Sequence, residues 1–505
     1  MKVLFVHTVD VVQSSEQPLT SLEEIQMGIS YMSSALKARG HSTALAVLSP
    51  TRAKAGHRIL DRELAQHRPQ VIAFTAVCSQ YTFVAKLSRH VRRLQPDLYQ
   101  VVGGAHVTLN PEDVIRDGFD AVCIGEGEFP ICELADALSS GQTPAQIPNL
   151  WIRMPDGTIE ENAPRPFLED LDALPYPDRS LWHPWLREKE GARVSVLLGR
   201  GCPYKCTYCC NHALAKCAPG RYVRFRSPDN ILGEIRALQA SYPDKAYVYL
   251  EVETITLNKE WLFELTDKLK AYNESLTTPI AYGTNFRVSP PALDPQVFRA
   301  MQEANFISIN IGLESGSERI RRDVLDRRYS NDDFLKAVSL ARSHGMKVNV
   351  YSMIGLPGET LQDFEETIRM NRLAEPARII KAIFFPYPGT KLFEICRNQG
   401  LFSEMPDGTY ERRKAVLSLP GFSRRQVQRA YVLFEFRVFR GKKPLPILLI
   451  RTIRNMVKTS SWANYLYLQL VQIPVFDKLR ARGEDSINAC SVERLARKST
   501  ESASR

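Results

Sequence analysis

Two series of short apolar runs alternating with helix-like segments, divided by a proline-rich stretch, constrain this chain more than any other feature. In the first series Val3 to His7, Thr43 to Leu48, Val71 to Ala76, Tyr99 to Gly103 and Ala121 to Ile124 read as strands, with helical patterns such as Ile29 to Arg39 and Val84 to Leu94 between them. Such alternation builds a doubly wound, Rossmann-like α/β domain, expected over 1–141. Ligands of these sheets bind beyond the C-terminal strand ends, where Gly103-Gly104-Ala105-His106 and Gly125-Glu126-Gly127-Glu128 fall. Prolines then crowd between 142 and 190, which marks a linker. The second series, 191–393, has strand candidates Val194 to Leu198, Ala246 to Glu251, Ile280 to Thr284, Ile307 to Ile311, Lys347 to Met353 and Arg378 to Phe385. Six strands with intervening helices fit a β/α barrel of the TIM type, complete or partial. The remainder, 394–505, reads as a helical C-terminal domain with amphipathic segments Gln426 to Arg440, Leu448 to Lys458 and Trp462 to Val475 and a frayed end from Lys498.

Composition narrows the class. With 505 residues, 44% of them hydrophobic and 24% charged, the chain reads as a multidomain globular protein and not as a disordered or fibrous one. Met1 to Asp10 has the pattern of a first strand rather than a signal peptide, and Pro446 to Ile450 is far below the ~20 apolar residues of a spanning helix. Ten cysteines without a secretory leader are expected to stay thiols in a cytoplasmic protein. The net charge of +10 is uneven: Gly421 to Arg505 holds seventeen basic and six acidic residues, so the first 420 residues are close to neutral. A basic amphipathic tail suits an acidic partner, peripheral contact with an anionic membrane, or a solvated helical face. No aromatic-basic interleaving marks a nucleic-acid platform, and no nucleic-acid partner is expected.

Five cysteines lie within sixteen residues, and three of them, Cys202, Cys206 and Cys209, are spaced CxxxCxxC directly after the first barrel strand. Three thiolates on one loop can hold three irons of a cubane cluster and leave the fourth iron open. A structural zinc would want four ligands, for which Cys210, Cys217 or His212 would have to be recruited. Later strand ends carry their own polar turns: Gly312-Leu313-Glu314-Ser315-Gly316-Ser317, Ile354-Gly355-Leu356-Pro357-Gly358-Glu359-Thr360 and Pro386-Tyr387-Pro388-Gly389-Thr390. Arg287 and Arg327 could each fork onto a ligand carboxylate.

With the aromatic Tyr208 before the last cysteine and these turns in order, the chain resembles the radical S-adenosylmethionine (SAM) superfamily. The resemblance implies a 4Fe-4S cluster on Cys202, Cys206 and Cys209, whose open iron chelates SAM and whose reduced form yields a 5′-deoxyadenosyl radical. It also implies cofactor contacts from Glu314, Ser315, Gly355 and Arg287. Where relatives carry a DDxFT-like segment this chain has Glu251-Val252-Glu253, so Glu251 or Glu253 is the expected contact to the ribose or the methionine ammonium.

The N-terminal domain resembles the cobalamin-binding domain of the cobalamin-dependent subclass, through Val101 to Thr108 and Ile124 to Glu128. Thr75, Ser79, Gly103, Gly104, His106, Gly125, Glu126 and Gly127 are the expected cobalamin contacts. The DxHxxG pattern that places a histidine on cobalt is absent after the first strand, which reads Asp10-Val11-Val12-Gln13-Ser14-Ser15. This resemblance implies a cobalamin-dependent radical SAM methyltransferase that methylates an unactivated carbon, with an external electron donor such as flavodoxin or ferredoxin and a natural-product or lipid-like small molecule as substrate. The alternatives are a cobalamin-dependent cyclase, ring-contraction or oxidative rearrangement enzyme, methylthiolation, and a non-catalytic cobalamin or redox sensor. No catalytic side chain is assigned.

Overall fold

A computed structural model describes residues 1–9, 17–19, 21–186, 193–243, 246–406, 408, 411–460 and 463. The missing-histidine stretch at 10–15, the segment 464–475 and the end from Lys498 lie outside the described residues.

The first sheet contains β1 (Lys2–Thr8), β2 (Ser42–Leu48), β3 (Val71–Thr75), β4 (Tyr99–Gly103), β5 (Ala121–Cys123), β6 (Leu150–Arg153) and β7 (Ile159–Glu161) in the order β2-β1-β3-β4-β5-β6-β7. β1 to β5 pair in parallel, whereas β5–β6 and β6–β7 are antiparallel. The linker expectation is thereby corrected: the prolines bracket a short hairpin whose Leu150 and Ile152 are buried and which extends the sheet. The strand order reverses between β1 and β3, the place where an open α/β sheet leaves a crevice at its C-terminal edge.

The second sheet is fully parallel: β8 (Val194–Leu197), β11 (Tyr247–Glu251), β12 (Ala281–Phe286), β13 (Phe306–Glu314), β14 (Lys347–Ile354) and β15 (Arg378–Ile383), in the order β15-β14-β13-β12-β11-β8. β9 (Gly199–Arg200) and β10 (Arg224–Phe225) form a separate antiparallel ribbon. Six parallel strands with their helices make a partial barrel, as expected. Its two edges are touched by single bridges, Leu22 to Val194 and Ile383 to Arg412.

Along β14 the residues Val348, Val350, Ser352 and Ile354 are buried, while Lys347, Asn349, Tyr351 and Met353 are partly open. The buried set packs under the helices, so the alternate set lines an accessible lumen, unlike the filled interior of a closed β/α barrel. A polar row crosses the strands there: Tyr249 Oη donates to Asn285 Oδ1 (2.6 Å), Asn310 Nδ2 to Tyr249 Oη (2.7 Å) and Asn349 Nδ2 to Asn310 Oδ1 (2.9 Å).

Adjacent linker residues fasten both halves. Asp178 pairs with Lys37 (2.6 Å) below the first sheet, and Arg179 pairs with Glu234 (2.6 Å) on a barrel helix. The helix Arg424–Phe439 begins with a capping box at Ser423 and packs Val427, Phe434 and Val438 into a second core with Phe364 and Phe422. The buried pair Lys381–Glu435 (3.1 Å) fixes this helix to β15. Among the described residues no helix is long and apolar enough to cross a membrane.

Candidate functional site

The cysteine loop is pinned at both ends by the β9–β10 ribbon. A Cβ on Gly199 would lie 2.4 Å from the Arg224 carbonyl, and one on Gly201 would lie 2.2 Å from the Tyr222 carbonyl. Gly201 also has φ +85°, so only glycine fits where the loop leaves the strand. Behind the loop, Thr207 N–H donates to Leu325 O (3.3 Å) and Leu392 N–H to Thr207 O (2.8 Å).

Arg287, at the end of β12, donates to Cys206 Sγ (3.1 Å) and lies 3.7 Å over the Tyr204 ring. Burial pushes the Cys202 thiol up to about 11, a backbone hydrogen bond from Tyr204 works against the rise and the Glu253 charge adds to it. The Cys209 thiol is instead lowered, chiefly by a hydrogen bond from Cys210, with Asn211 assisting. Glu253 is exposed beside the cysteines, while Glu251 is half-buried at the end of β11, with its carboxyl raised mainly by burial.

Glu314 occupies a left-handed conformation (φ +61°) at a register shift between β13 and β14. A residue held there is strained by order 1–3 kcal/mol, and its surroundings over-determine it. Arg327 Nη1 donates to Glu314 Oε1 (3.1 Å) and to Tyr208 Oη (2.9 Å), and Nη2 donates to Gly312 O (2.9 Å). Arg327 is therefore committed within the protein, which leaves Arg287 as the more open of the two arginines. Two other expected contacts are packed within the protein. Ser315 is fully buried, its Oγ accepting from Ser317 N–H (3.3 Å) and 3.5 Å from Thr367 Oγ1, because Gly316 brings this turn onto the backbone of Glu366. Gly355 faces Val427 of the C-terminal helix, whose methyl a Cβ there would meet at 2.9 Å.

Facing the cysteine loop, the C-terminal edge of the first sheet opens a cavity of about 340 Å³. Thr75, Gly103, Gly104, Gly125, Glu126 and Gly127, all named as cobalamin contacts from the sequence, line it together. Gly104 has φ +110°, and a Cβ there would stand 2.6 Å from Ala76 O. Ser79 and His106 are not among the lining residues. Ser79 packs against Gly408. His106 is turned aside by one helical step from Ala105 and Thr108, which do line the cavity, and stacks on Tyr81 (4.6 Å) beside Asn110.

Residues missed from the sequence complete this wall: Thr108, the helix start at Gln26–Met32, Cys217, Tyr222, Arg200 and Arg224. Arg200 donates to Glu126 (2.9 Å) and to Glu128, and Arg224 donates to both Glu126 oxygens (3.1 and 3.0 Å). Burial alone would raise the Glu126 carboxyl, but hydrogen bonds and charge from Arg224 and Arg200 outweigh it and hold the group below the ordinary carboxylate range. This clasp joins the edge of the first sheet to both strands of the β9–β10 ribbon that flanks the cysteine loop. The only early signal was Arg200 inside Gly199-Arg200-Gly201-Cys202.

The donors fit the implied groups. Three free thiols share one pinned loop, two of them beside an arginine or an amide donor, as thiolate ligands require. Among the described residues no three His, Cys, Asp or Glu converge as ligands of a single ion do. A four-iron cluster spreads its thiolates over separate irons and needs no such convergence. The glycine-walled cavity at the sheet's switch point has the shape of a slot for a nucleotide tail.

A family model for the radical SAM superfamily matches residues 196–370, and one for the B12 binding domain matches 21–135. An uncharacterized methyltransferase of Pyrococcus horikoshii is 28% identical over 376 residues, covering 73% of this chain and 79% of the relative. The anaerobic magnesium-protoporphyrin IX monomethyl ester cyclase of Rubrivivax gelatinosus is 24% identical, covering 72% of this chain and 65% of the cyclase. Among solved structures, the radical SAM methyltransferase TsrM of Kitasatospora setae, with cobalamin and a 4Fe-4S cluster bound, matches with a TM-score of 0.66 at 16% identity, over 93% of this chain and 98% of that one.

Proposed function

The chain belongs to the radical SAM superfamily and carries a B12-binding domain ahead of its barrel, and from that premise we propose that it is a cobalamin-dependent radical SAM methyltransferase acting on an unactivated carbon of a small molecule. When bound, the cluster with SAM supplies a hydrogen-abstracting 5′-deoxyadenosyl radical and cobalamin supplies the methyl group. One observation carries the reading: a glycine-walled cavity at the edge of the first sheet and a pinned three-cysteine loop at the barrel mouth face each other across the Glu126–Arg200–Arg224 clasp.

In this reading Cys202, Cys206 and Cys209 hold the cluster, and Arg287 orients Cys206 while covering Tyr204. Glu253, exposed beside the thiols, suits a cationic ammonium, and Glu251 suits hydroxyls nearer the lumen. Glu314, aimed by Arg327 and Tyr208, stands at the end of β13 on the cysteine side. Thr75, Gly103, Gly104, Gly125 and Gly127 leave room for the cobalamin tail, and Glu126 fixes the distance between the halves. The amide row Asn285, Asn310 and Asn349 offers neutral donors and acceptors to a molecule held in the lumen. Free thiols throughout the described chain suit a reducing, cytoplasmic setting. An external one-electron donor is needed, and membrane contact through the basic C-terminal region belongs to the same reading.

The cyclase relative favours a second reading, in which the same architecture closes or rearranges a ring. The first test is anaerobic reconstitution with SAM and dithionite. Wild-type protein is expected to bind iron and sulfide and to release 5′-deoxyadenosine, whereas Cys206→Ala should do neither. Wild-type yields from that variant would overturn the cluster assignment.

A further inference from the structure

A second groove, of about 550 Å³, opens over the cysteine loop and includes Cys202 in its wall. Four cations border it: Lys205 from the loop itself, Lys216 and Arg221 from the segment that returns to β10, and Lys391 from the start of a later helix. All four are exposed, and none has a carboxylate at salt-bridge distance in the described structure. The single acid on the rim, Asp326, faces Arg328 (3.4 Å). Because the first 420 residues are nearly neutral overall, this concentration of unpaired positive charge is local. Other exposed cations of the barrel do have acidic partners, for example Arg319 with Asp363 and Arg369 with Glu366.

We propose that this groove is the docking face for an acidic one-electron carrier protein of the flavodoxin or ferredoxin class. The inference rests on the radical SAM reading above, which requires electrons from outside. The reduced carrier gives up one electron and is oxidised by one, the cluster on the three cysteines is reduced by one, and no atom or proton is transferred. Four cations on three separate segments suit a broad acidic surface, and they surround a cysteine at the groove wall, where the path for an electron is short. Complementary charge of this kind acts chiefly on the association rate and weakens as salt rises.

The test compares wild type with the triple variant Lys216→Glu, Arg221→Glu and Lys391→Glu, leaving Lys205 untouched because it lies between two cluster cysteines. Each reconstituted protein is reduced either by a reduced flavodoxin at low ionic strength or by dithionite, and 5′-deoxyadenosine formation is timed. With flavodoxin the variant should be slower by roughly tenfold or more, and the wild-type rate should fall as salt is added. With dithionite the two proteins should agree. An equal loss with both reductants, or no loss with flavodoxin, overturns the docking face. If wild type makes no 5′-deoxyadenosine even with dithionite, the radical SAM reading fails instead. Flavodoxin binding measured without turnover still reads the surface in that case: weaker binding by the variant supports the face, and unchanged binding overturns it.

Discussion

Replacing Glu126 by Gln cuts the clasp between the two halves while keeping side-chain volume. Its carboxylate accepts hydrogen bonds from Arg200 (2.9 Å) and Arg224 (3.1 and 3.0 Å). The Arg224 side chain is 3% exposed and that of Glu126 is 20% exposed. Without the carboxylate, Arg224 keeps Leu168 O (2.7 Å) and Tyr222 O (3.2 Å) but no counter-charge. Breaking a buried pair from one side costs 3–5 kcal/mol, and the partial opening of Glu126 brings the expected loss to about 3 kcal/mol. Arg200 keeps Glu128 and adds little. Arg224→Met should cost a similar amount, and the double variant less than the sum, with a coupling of about 2 kcal/mol. Denaturant unfolding followed by tryptophan fluorescence measures all four proteins, and amide exchange at Gly125–Glu128 and Gly199–Gly201 should rise in the single variants. Additive losses, or a Glu126→Gln cost below about 0.5 kcal/mol, would refute the reasoning. The lowered Glu126 carboxyl also fixes a direction: its stabilisation is present above the ordinary carboxylate range and fades as pH falls through the lowered value.

Other outcomes follow from single groups. Glu359 is fully buried, and burial raises its carboxyl to about 8 despite backbone hydrogen bonds from Leu356 and Gly355. The folded state thus holds a proton that the unfolded chain loses near 4.5, so stability should fall as pH rises through the window from 4.5 to 8, by about 5 kcal/mol in total. Glu359→Gln should flatten that slope, and parallel pH curves for the two proteins would contradict the assignment. Gly104→Ala forces a Cβ to within 2.6 Å of Ala76 O at φ +110°. It should lower cobalamin affinity by roughly tenfold, the equivalent of ~1.4 kcal/mol, measured by equilibrium dialysis; an unchanged affinity would move cobalamin elsewhere. No described residue lining the cavity is a histidine. Bound cob(II)alamin is therefore expected without a protein histidine on cobalt, and an EPR nitrogen superhyperfine splitting that changes when the protein is labelled with 15N-histidine would count against it.

Much of this architecture was legible in local patterns. All six barrel strands appear where apolar runs stand between turn residues, and Tyr99–Gly103 matches its expected span to the residue. The cysteine spacing marked the loop, and Gly103-Gly104 and Gly125-Glu126-Gly127 marked the cavity wall. The hairpin β6–β7 was obscured because Pro148 and Pro155 flank a strand of only four residues. Ser315 and Gly355 sit in turns packed on neighbouring helices, because polar and glycine-rich turns serve tight helix packing as readily as they serve a cofactor. His106 failed on a rotation of one residue within a single helical turn. The clasp had no local signature beyond Arg200 beside the first cysteine, since Glu126 and Arg200 are 74 positions apart and meet only through the topology.

The most direct measurement is anaerobic product analysis of the protein carrying its rebuilt cluster and cobalamin, supplied with SAM and a reductant. Mass spectrometry should find both S-adenosylhomocysteine and 5′-deoxyadenosine, with the former dependent on cobalamin. 5′-Deoxyadenosine alone, with no cobalamin-dependent S-adenosylhomocysteine, would contradict methyl transfer and favour ring closure or rearrangement.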